Sequence, residues 1–303
     1  MELPSHVQLV EVGMRDGLQN ESQFIPTPTK QKLISDLTKT GVTKIQVTSF
    51  VNPKLVPQLA DAEELCGLLE SVPGVIYSAL VLSQKGLERA HKAGLSHVDL
   101  SISASETHSR KNLNRSIAQA LDEFRTMVAC AKDYGLAVQG GIQCAFGCAY
   151  EGKKARAQVL QLVEAYLDVG VNEFLLADST GMANPLQINQ SIQSVQALIG
   201  DYPLVLHLHD TWGLGLANVY AALQHGVTRF ETAFGGFGGC PFIPGATGNI
   251  ATEDTLYLLS EMGIKTGIDL DQVIACSARA QELLGKTPPS QVYRLKHSSG
   301  GMW

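Results

Sequence analysis

The strongest constraint on this chain is an alternation repeated eight times, a short apolar run followed by an amphipathic stretch. The apolar runs fall at 7–12, 44–49, 77–81, 97–103, 137–142, 173–177, 204–209 and 229–233. Several are almost continuously apolar, which predicts strands covered on both faces. Helical periodicity fills the intervals at 29–40, 61–69, 87–93, 117–134, 156–169, 185–199 and 217–225. Glycines such as Gly41, Gly94 and Gly170 punctuate helix ends just before the next strand (KTGVTKIQV, KAGLSHVDL, DVGVNEFLL). Eight strands in such β-then-α alternation predict a closed parallel (β/α)8 TIM barrel. An open doubly wound sheet is the competing fold, but it more often carries about five or six strands. Two further helical patterns, 252–262 and 270–284, predict extra C-terminal helices. The chain is expected to be one domain over 1–303, with the barrel at about 5–250 and the added helices at about 251–290. The final HSSGGMW is expected to be disordered or a small cap.

Composition narrows the function classes. Charged residues make up 17% of the chain, against about 25% in an ordinary soluble protein. That predicts either a large interior or surface covered by a second subunit, and a homo-oligomer, dimer or tetramer, is expected. The formal net charge is −6 and no basic tract is present, so no nucleic-acid partner is expected. No apolar run is long enough to span a bilayer. The start MELPSHVQLVEVG lacks the order of a signal or transit peptide. Six dispersed cysteines offer no disulfide framework. A cytoplasmic location is expected, with no membrane partner.

In a barrel of this kind, chemistry gathers at the C-terminal ends of strands. There the chain places Gly13-Met14-Arg15-Asp16-Gly17, then Gln46 to Ser49, then Asp178-Ser179-Thr180-Gly181, and His207-Leu208-His209-Asp210. His207 and His209 stand two apart on a predicted strand, so both imidazoles share a face and can grip one metal ion. A lone H-x-H is as often a pair of satisfied core histidines. Asp16 ends the strand that closes the barrel against the eighth, and it can add a carboxylate. Asn249, just past the eighth strand, can add an amide oxygen. Two nitrogens with two oxygens suit an octahedral divalent ion, Mg²⁺ or Mn²⁺, although imidazole also serves zinc. Arg15 is either an ion-paired rim residue or a guanidinium placed to neutralise a developing enolate oxygen. Cys144 and Cys148 read as core or loop thiols, a single pair being weak evidence for zinc. Cys240 lies among glycines and a proline in a long loop, where a lid could carry a thiol over the site.

The stretches VEVGMRDGLQNE (10–21), HLHDTWGLGLAN (207–218) and GGCPFIPGATGNIATED (238–254) closely resemble the 3-hydroxy-3-methylglutaryl-CoA lyase family. TSFVNPKLVPQ (48–58) and CAFGCAYEG (144–152) extend the resemblance over nearly the whole chain. The HxHD and RDG elements alone are shared with a wider group of metal-dependent aldolase-type enzymes; the Gly-Gly-Cys-Pro loop narrows it. The resemblance implies that Asp16, His207, His209 and Asn249 hold a divalent cation, with Asp16 and His207 as base and proton shuttle. By the same resemblance Arg15 stabilises the enolate, Cys240 acts in proton transfer from its loop, and Asp178 completes the site. Lys30, Arg110 and Lys111 are candidate contacts to the phosphates of an acyl-CoA thioester, or else solvated surface charge. The implied reaction is a retro-Claisen cleavage releasing acetyl-CoA, of the sort used in leucine degradation and ketone-body formation.

Several positions depart from the family pattern. Gln46 stands where the family's I-E-x-x-S-F element has Glu, and Leu175-Leu176-Ala177-Asp178 replaces Ser-Leu-Gly-Asp. Met14 and Leu55 replace a Pro and a Trp. Retained ligands with an altered surround point to a changed acyl group, such as citramalyl-CoA, rather than to lost chemistry. A Claisen-type synthase or a non-catalytic relative are the other readings; a synthase would usually carry a C-terminal regulatory region.

Overall fold

The structure, a computed structural model, describes residues 2–239 and 248–298. Along the chain the strands are β1 (Gln8–Glu11), β2 (Lys44–Ser49), β3 (Ile76–Val81), β4 (His97–Ser103), β5 (Ala137–Gln143), β6 (Gly147–Cys148), β7 (Gly152–Lys153), β8 (Glu173–Asp178), β9 (Leu204–Leu208) and β10 (Arg229–Thr232). All but β6 and β7 form one closed parallel barrel in the order β1-β10-β9-β8-β5-β4-β3-β2. Because β1 pairs with both β2 and β10, the sheet has no free edge, and the open doubly wound alternative is set aside.

The helices are α1 (Thr27–Lys39), α2 (Ala62–Leu68), α3 (Gln84–Lys92), α4 (Glu106–Leu113), α5 (Ile117–Asp133), α6 (Arg156–Val169), α7 (Pro185–Ile199), α8 (Gly215–Leu223), α9 (Thr252–Glu261), α10 (Leu270–Leu284) and α11 (Gln291–Ser298). Their ends follow local chemistry. Asn184 caps α7 by accepting from the Gln187 amide, and Pro185 occupies the first turn, where its missing N–H costs nothing. Ser116 and Gln119 cap α5 reciprocally. The apolar stripes of these helices pack on the strands; Phe124 of α5 stacks on Tyr166 of α6 at 4.1 Å, and the Tyr166 hydroxyl donates to the Gly141 carbonyl at 2.8 Å.

Four elements depart from the sequence expectation. The helix α4 and the β6–β7 hairpin lie in segments with no clear apolar period. The segment after 290 continues as α11, so the added C-terminal helices number three rather than two among the described residues. Residues Gly13–Gly17 form a wide π-helical turn rather than an open loop, its amides from Arg15 to Gly17 all turned toward the Val12 carbonyl. A Cβ at Gly13 would lie 2.6 Å from the Phe234 ring, so only glycine lets the turn seat this closely against the end of β10.

The inside of the barrel is not a stack of aliphatic layers. Leu175, Ala177 and Val205 form one small apolar patch. Around it runs a buried polar chain. Lys44 donates to Gln139 at 3.0 Å and pairs with Glu173, and Gln139 donates to Glu231 at 2.9 Å. Arg229 pairs with Glu173 at 3.0 Å at the outer end of the chain. Part of the protein's modest charge thus lies inside the barrel.

Candidate metal centre and active site

The strand ends converge on a cavity of about 590 Å³, floored by Arg15, Asp16, Gln46, Asp99, His207 and His209. β9 delivers His207, and His209 just past its end reaches the same cavity, as the two-residue spacing predicts. The turn after β1 delivers Arg15 and Asp16 across the β1–β10 seam. Asp16, His207 and His209 are all buried, and their ligand atoms lie within 4.8 Å of one another. The two Nε2 atoms are 3.0 Å apart, and Asp16 Oδ2 stands 4.0 Å from His207 Nε2 and 3.8 Å from His209 Nε2. Two ligand atoms about 2.1 Å from a shared octahedral centre stand about 3.0 to 4.2 Å apart. The three observed separations fall within that window.

The surround prepares these groups. His207 Nδ1 lies 2.8 Å from Glu231 Oε2, a contact that keeps the proton on Nδ1 and turns the bare Nε2 to the cavity. Burial pushes the His207 imidazole down, but the Glu231 contact together with the Glu231 and Asp16 charges raises it overall. His209 is lowered, chiefly by burial. Burial works against the charge on Asp16, yet Arg15 and the two histidines hold its carboxyl well below the usual range. Asn249 forms an isolated bridge with His209 and donates from Nδ2 to Asp16 Oδ2 at 2.8 Å and to the Phe237 carbonyl at 3.1 Å. Its buried Oδ1 has no donor among the described residues, which suits an oxygen meant for a cation. Gly238, at φ 116°, passes so near that a Cβ would lie 2.5 Å from Asn249 Nδ2.

Arg15 is anchored twice, donating from Nε to Gln46 Oε1 and from Nη1 to Asp16 Oδ1. Gln46 in turn donates from Nε2 to Asp99 Oδ2. Of the remaining candidates, Asp178 does not line the cavity. Its Oδ2 accepts from the Ala183 amide at 3.0 Å, bracing the loop after β8, and burial raises it to about 7. Cys240 lies outside the described residues. Cys144 and Cys148 stand apart from the metal group; the Cys148 thiol donates to Ser105 Oγ at 3.0 Å.

The three candidate thioester contacts lie in different settings. Lys30 is 1% exposed, paired with Asp61 at 2.7 Å and donating to the Gln58 carbonyl. Its ammonium is consumed inside the protein and cannot meet a phosphate. Arg110 pairs with Glu106 at 2.7 Å on the surface of α4, and Lys111 sits over the Tyr150 ring at 3.9 Å. Neither lines the cavity; Arg115, just beyond the same helix, does.

Sequence reasoning missed Glu231, Asp99 and Arg115. The first two carried a signal, an acidic residue inside a buried strand at a position facing the barrel interior.

The HMGL-like family model matches residues 6–279. The chain belongs to the HMGL-like family. It is 40% identical over 299 residues to a hydroxymethylglutaryl-CoA lyase of Bacillus subtilis, covering 99% of this chain and 100% of that one. A hydroxymethylglutaryl-CoA lyase structure from Pseudomonas aeruginosa superposes with a TM-score of 0.95 at 38% identity, covering 99% and 100% of the two chains. An HMG-CoA lyase from Acinetobacter baumannii, solved with coenzyme A and 3-methylmalate, superposes with a TM-score of 0.93 at 41% identity, covering 97% and 96%. The protein is an enzyme of lyase type within that family.

Proposed function

We propose that the protein cleaves 3-hydroxy-3-methylglutaryl-CoA to acetyl-CoA and acetoacetate by a metal-dependent retro-Claisen reaction. The observation that carries the reading is the meeting of the Arg15 guanidinium, the Asp16 carboxylate and two imidazoles on a buried cavity floor. Asp16, His207 and His209 would hold a divalent cation, Mg²⁺ or Mn²⁺, with Asn249 Oδ1 as a further oxygen. Bound there, such an ion supplies a Lewis acid that lowers the pKa of the C3 hydroxyl.

The chain's own groups do the rest. Asp16, kept ionised, is the candidate to take the hydroxyl proton; His207, whose Nδ1 is held against Glu231, would serve as base only with its Nε2 off the cation. As that proton leaves, the C3–O bond becomes a carbonyl and the C2–C3 bond breaks. Its electron pair passes to the thioester as an enolate. Arg15 lies on the cavity floor to neutralise the enolate oxygen, charge that exists only as the bond breaks. Protonation at C2 then gives acetyl-CoA, the role proposed for Cys240. Asp178 acts at one remove, through the loop it braces. At the mouth, Arg115 is better placed than Arg110 or Lys111 to meet the charged end of a thioester.

A second reading keeps the chemistry and changes the acyl group. The 3-methylmalate in the Acinetobacter structure has its hydroxyl on a carbon that also carries a carboxylate, as citramalyl-CoA does. Leu175 and Ala177 line the cavity wall of this chain, a change from the family's Ser and Gly that favours a differently shaped substituent. The reading also includes a homo-oligomer, supported by aromatic side chains left exposed at Trp212 (64%) and Tyr257 (51%), and a cytoplasmic location. No helix among the described residues is long and apolar enough to cross a membrane.

The test is to strip the protein of metal, restore Mg²⁺ or Mn²⁺, and assay both thioesters for products. Acetyl-CoA with acetoacetate from the first substrate, abolished by chelation, is the expected result. Pyruvate from citramalyl-CoA with little acetoacetate would select the second reading. Release of acetyl-CoA from neither thioester would overturn both.

A further inference from the structure

Gln46 is the position where this chain departs most sharply from the resemblance, an amide where a carboxylate is expected. In the structure a buried carboxylate from another strand stands beside it. Gln46, 1% exposed, accepts from Arg15 Nε on one side and donates to Asp99 Oδ2 on the other. Asp99 comes from β4, two strands round the barrel, and its Oδ2 also accepts from the Ser78 hydroxyl of β3 at 2.8 Å. The four side chains are buried, three of them on the cavity floor.

Burial raises the Asp99 carboxyl, while the Lys44 charge and the Gln46 and Ser78 contacts act against that rise; with Asp99 ionised, the amide has only one workable orientation. Rotated by half a turn, its NH₂ would face the Arg15 Nε–H and its oxygen would face the Asp99 carboxylate, and both contacts would repel. An acid at 99 therefore requires a donor at 46, and the guanidinium requires an acceptor on the same side chain. A carboxylate at 46 would serve Arg15 equally well but would set two buried acids against each other. Residues 46 and 99 are thus a matched pair. Together they hold the Nε edge of Arg15 while Asp16 holds Nη1. Among the described residues no acceptor is bonded to Nη2, and Arg15 lines the cavity.

We propose that Asp99 and Gln46 are a coupled pair of positioning residues that orient Arg15, the carboxylate on β4 acting on the guanidinium through the amide on β2. The proposal rests on the role given above to Arg15 as the group that meets the enolate oxygen. Gln46 is then a relocation of charge rather than a loss of it. Reverting this one position alone should harm the enzyme.

Three variants test it: Gln46→Glu, Asp99→Asn and the double exchange. In the double exchange the carboxylate placed at position 46 would accept both from Arg15 and from the amide placed at position 99. Each single variant is expected to lower kcat at least about 5-fold with KM changed less than about 2-fold, because the lost interaction is made in the transition state. The double variant is expected to recover to within about 3-fold of the starting enzyme, a non-additivity typical of groups in contact. A second readout needs no substrate. The Arg15 Nε–H resonance, assigned through Arg15→Lys, should exchange slowly with water in the parent and the double variant, and faster in both singles. Singles that leave both kcat and this exchange unchanged, or a double variant no better than the product of the singles, would overturn the proposal. If the parent cleaves no thioester, the proposed function fails, while the exchange measurement still decides whether the pair orients Arg15.

Discussion

Glu231 shows how much a single side chain can set at this site. It pairs in register with His207 across β9 and β10 and meets its Nδ1 at 2.8 Å. Its other oxygen accepts from Gln139 at 2.9 Å, so the carboxylate cannot swing away. Burial opposes the charge on Glu231, but the His207 contact lowers its pKa overall. Such outer partners typically change metal affinity about 10- to 100-fold when altered. Glu231→Gln should therefore weaken Mn²⁺ binding by at least about 10-fold, read by titration calorimetry, with the far-ultraviolet circular dichroism unchanged. Equal affinity in parent and variant would remove Glu231 from the design. At this scale the histidines were legible because their spacing is local. The partner behind His207 was not, since Glu231 stands 24 residues away along the chain and the two meet only when the barrel closes. Lys30 was misread for the same reason: nothing in its neighbours along the chain shows that Asp61 will bury it.

At the scale of elements, two buried carboxyls fasten the seam. Glu11, ending β1, accepts from the amides of Gly13 at 2.7 Å and Phe234 at 3.0 Å and from the Thr252 hydroxyl at 2.8 Å. Glu253, in the first turn of α9, accepts from the Gly235 amide at 2.9 Å and from the Ser277 hydroxyl of α10. Burial raises Glu11 to about 7 and Glu253 to about 8, from an ordinary value of 4.5. The folded state then holds protons that the unfolded chain has released. The stabilisation is complete below pH 4.5 and is lost as pH rises through about 7 to 8. Each such group can contribute a slope of at most about 1.4 kcal/mol per pH unit. Glu253→Gln should flatten the decline of urea-unfolding stability between about pH 5.5 and 8 by up to that slope. A decline as steep as the parent's would mean that Glu253 titrates normally. The long helices were legible from their period and caps. The turn after β1, α4 and the β6–β7 hairpin were not, because their shape follows from what they pack against.

For the molecule as a whole, the candidate metal ligands come from the turn after β1, the end of β9 and the segment after β10, where the barrel closes. A ligand that binds only the folded state stabilises it by about 2.7 kcal/mol at a concentration one hundred times its dissociation constant. Mn²⁺ at that excess should raise the melting temperature relative to chelator, and His207→Ala and His209→Ala should each abolish the rise. An equal rise in those variants would place the ion elsewhere. By itself the sequence determined the number and order of the βα units, the closed barrel they imply, and the strand ends that carry Arg15, Asp16, His207 and His209. These depend on periodicity and spacing, which are local. Only the tertiary structure decided which buried partners those residues meet: Glu231 behind His207, Asp99 behind Gln46, and Asp61 around Lys30. Hydrogen-bond partners and burial are relations between segments distant along the chain, and they exist only once the sheet has closed.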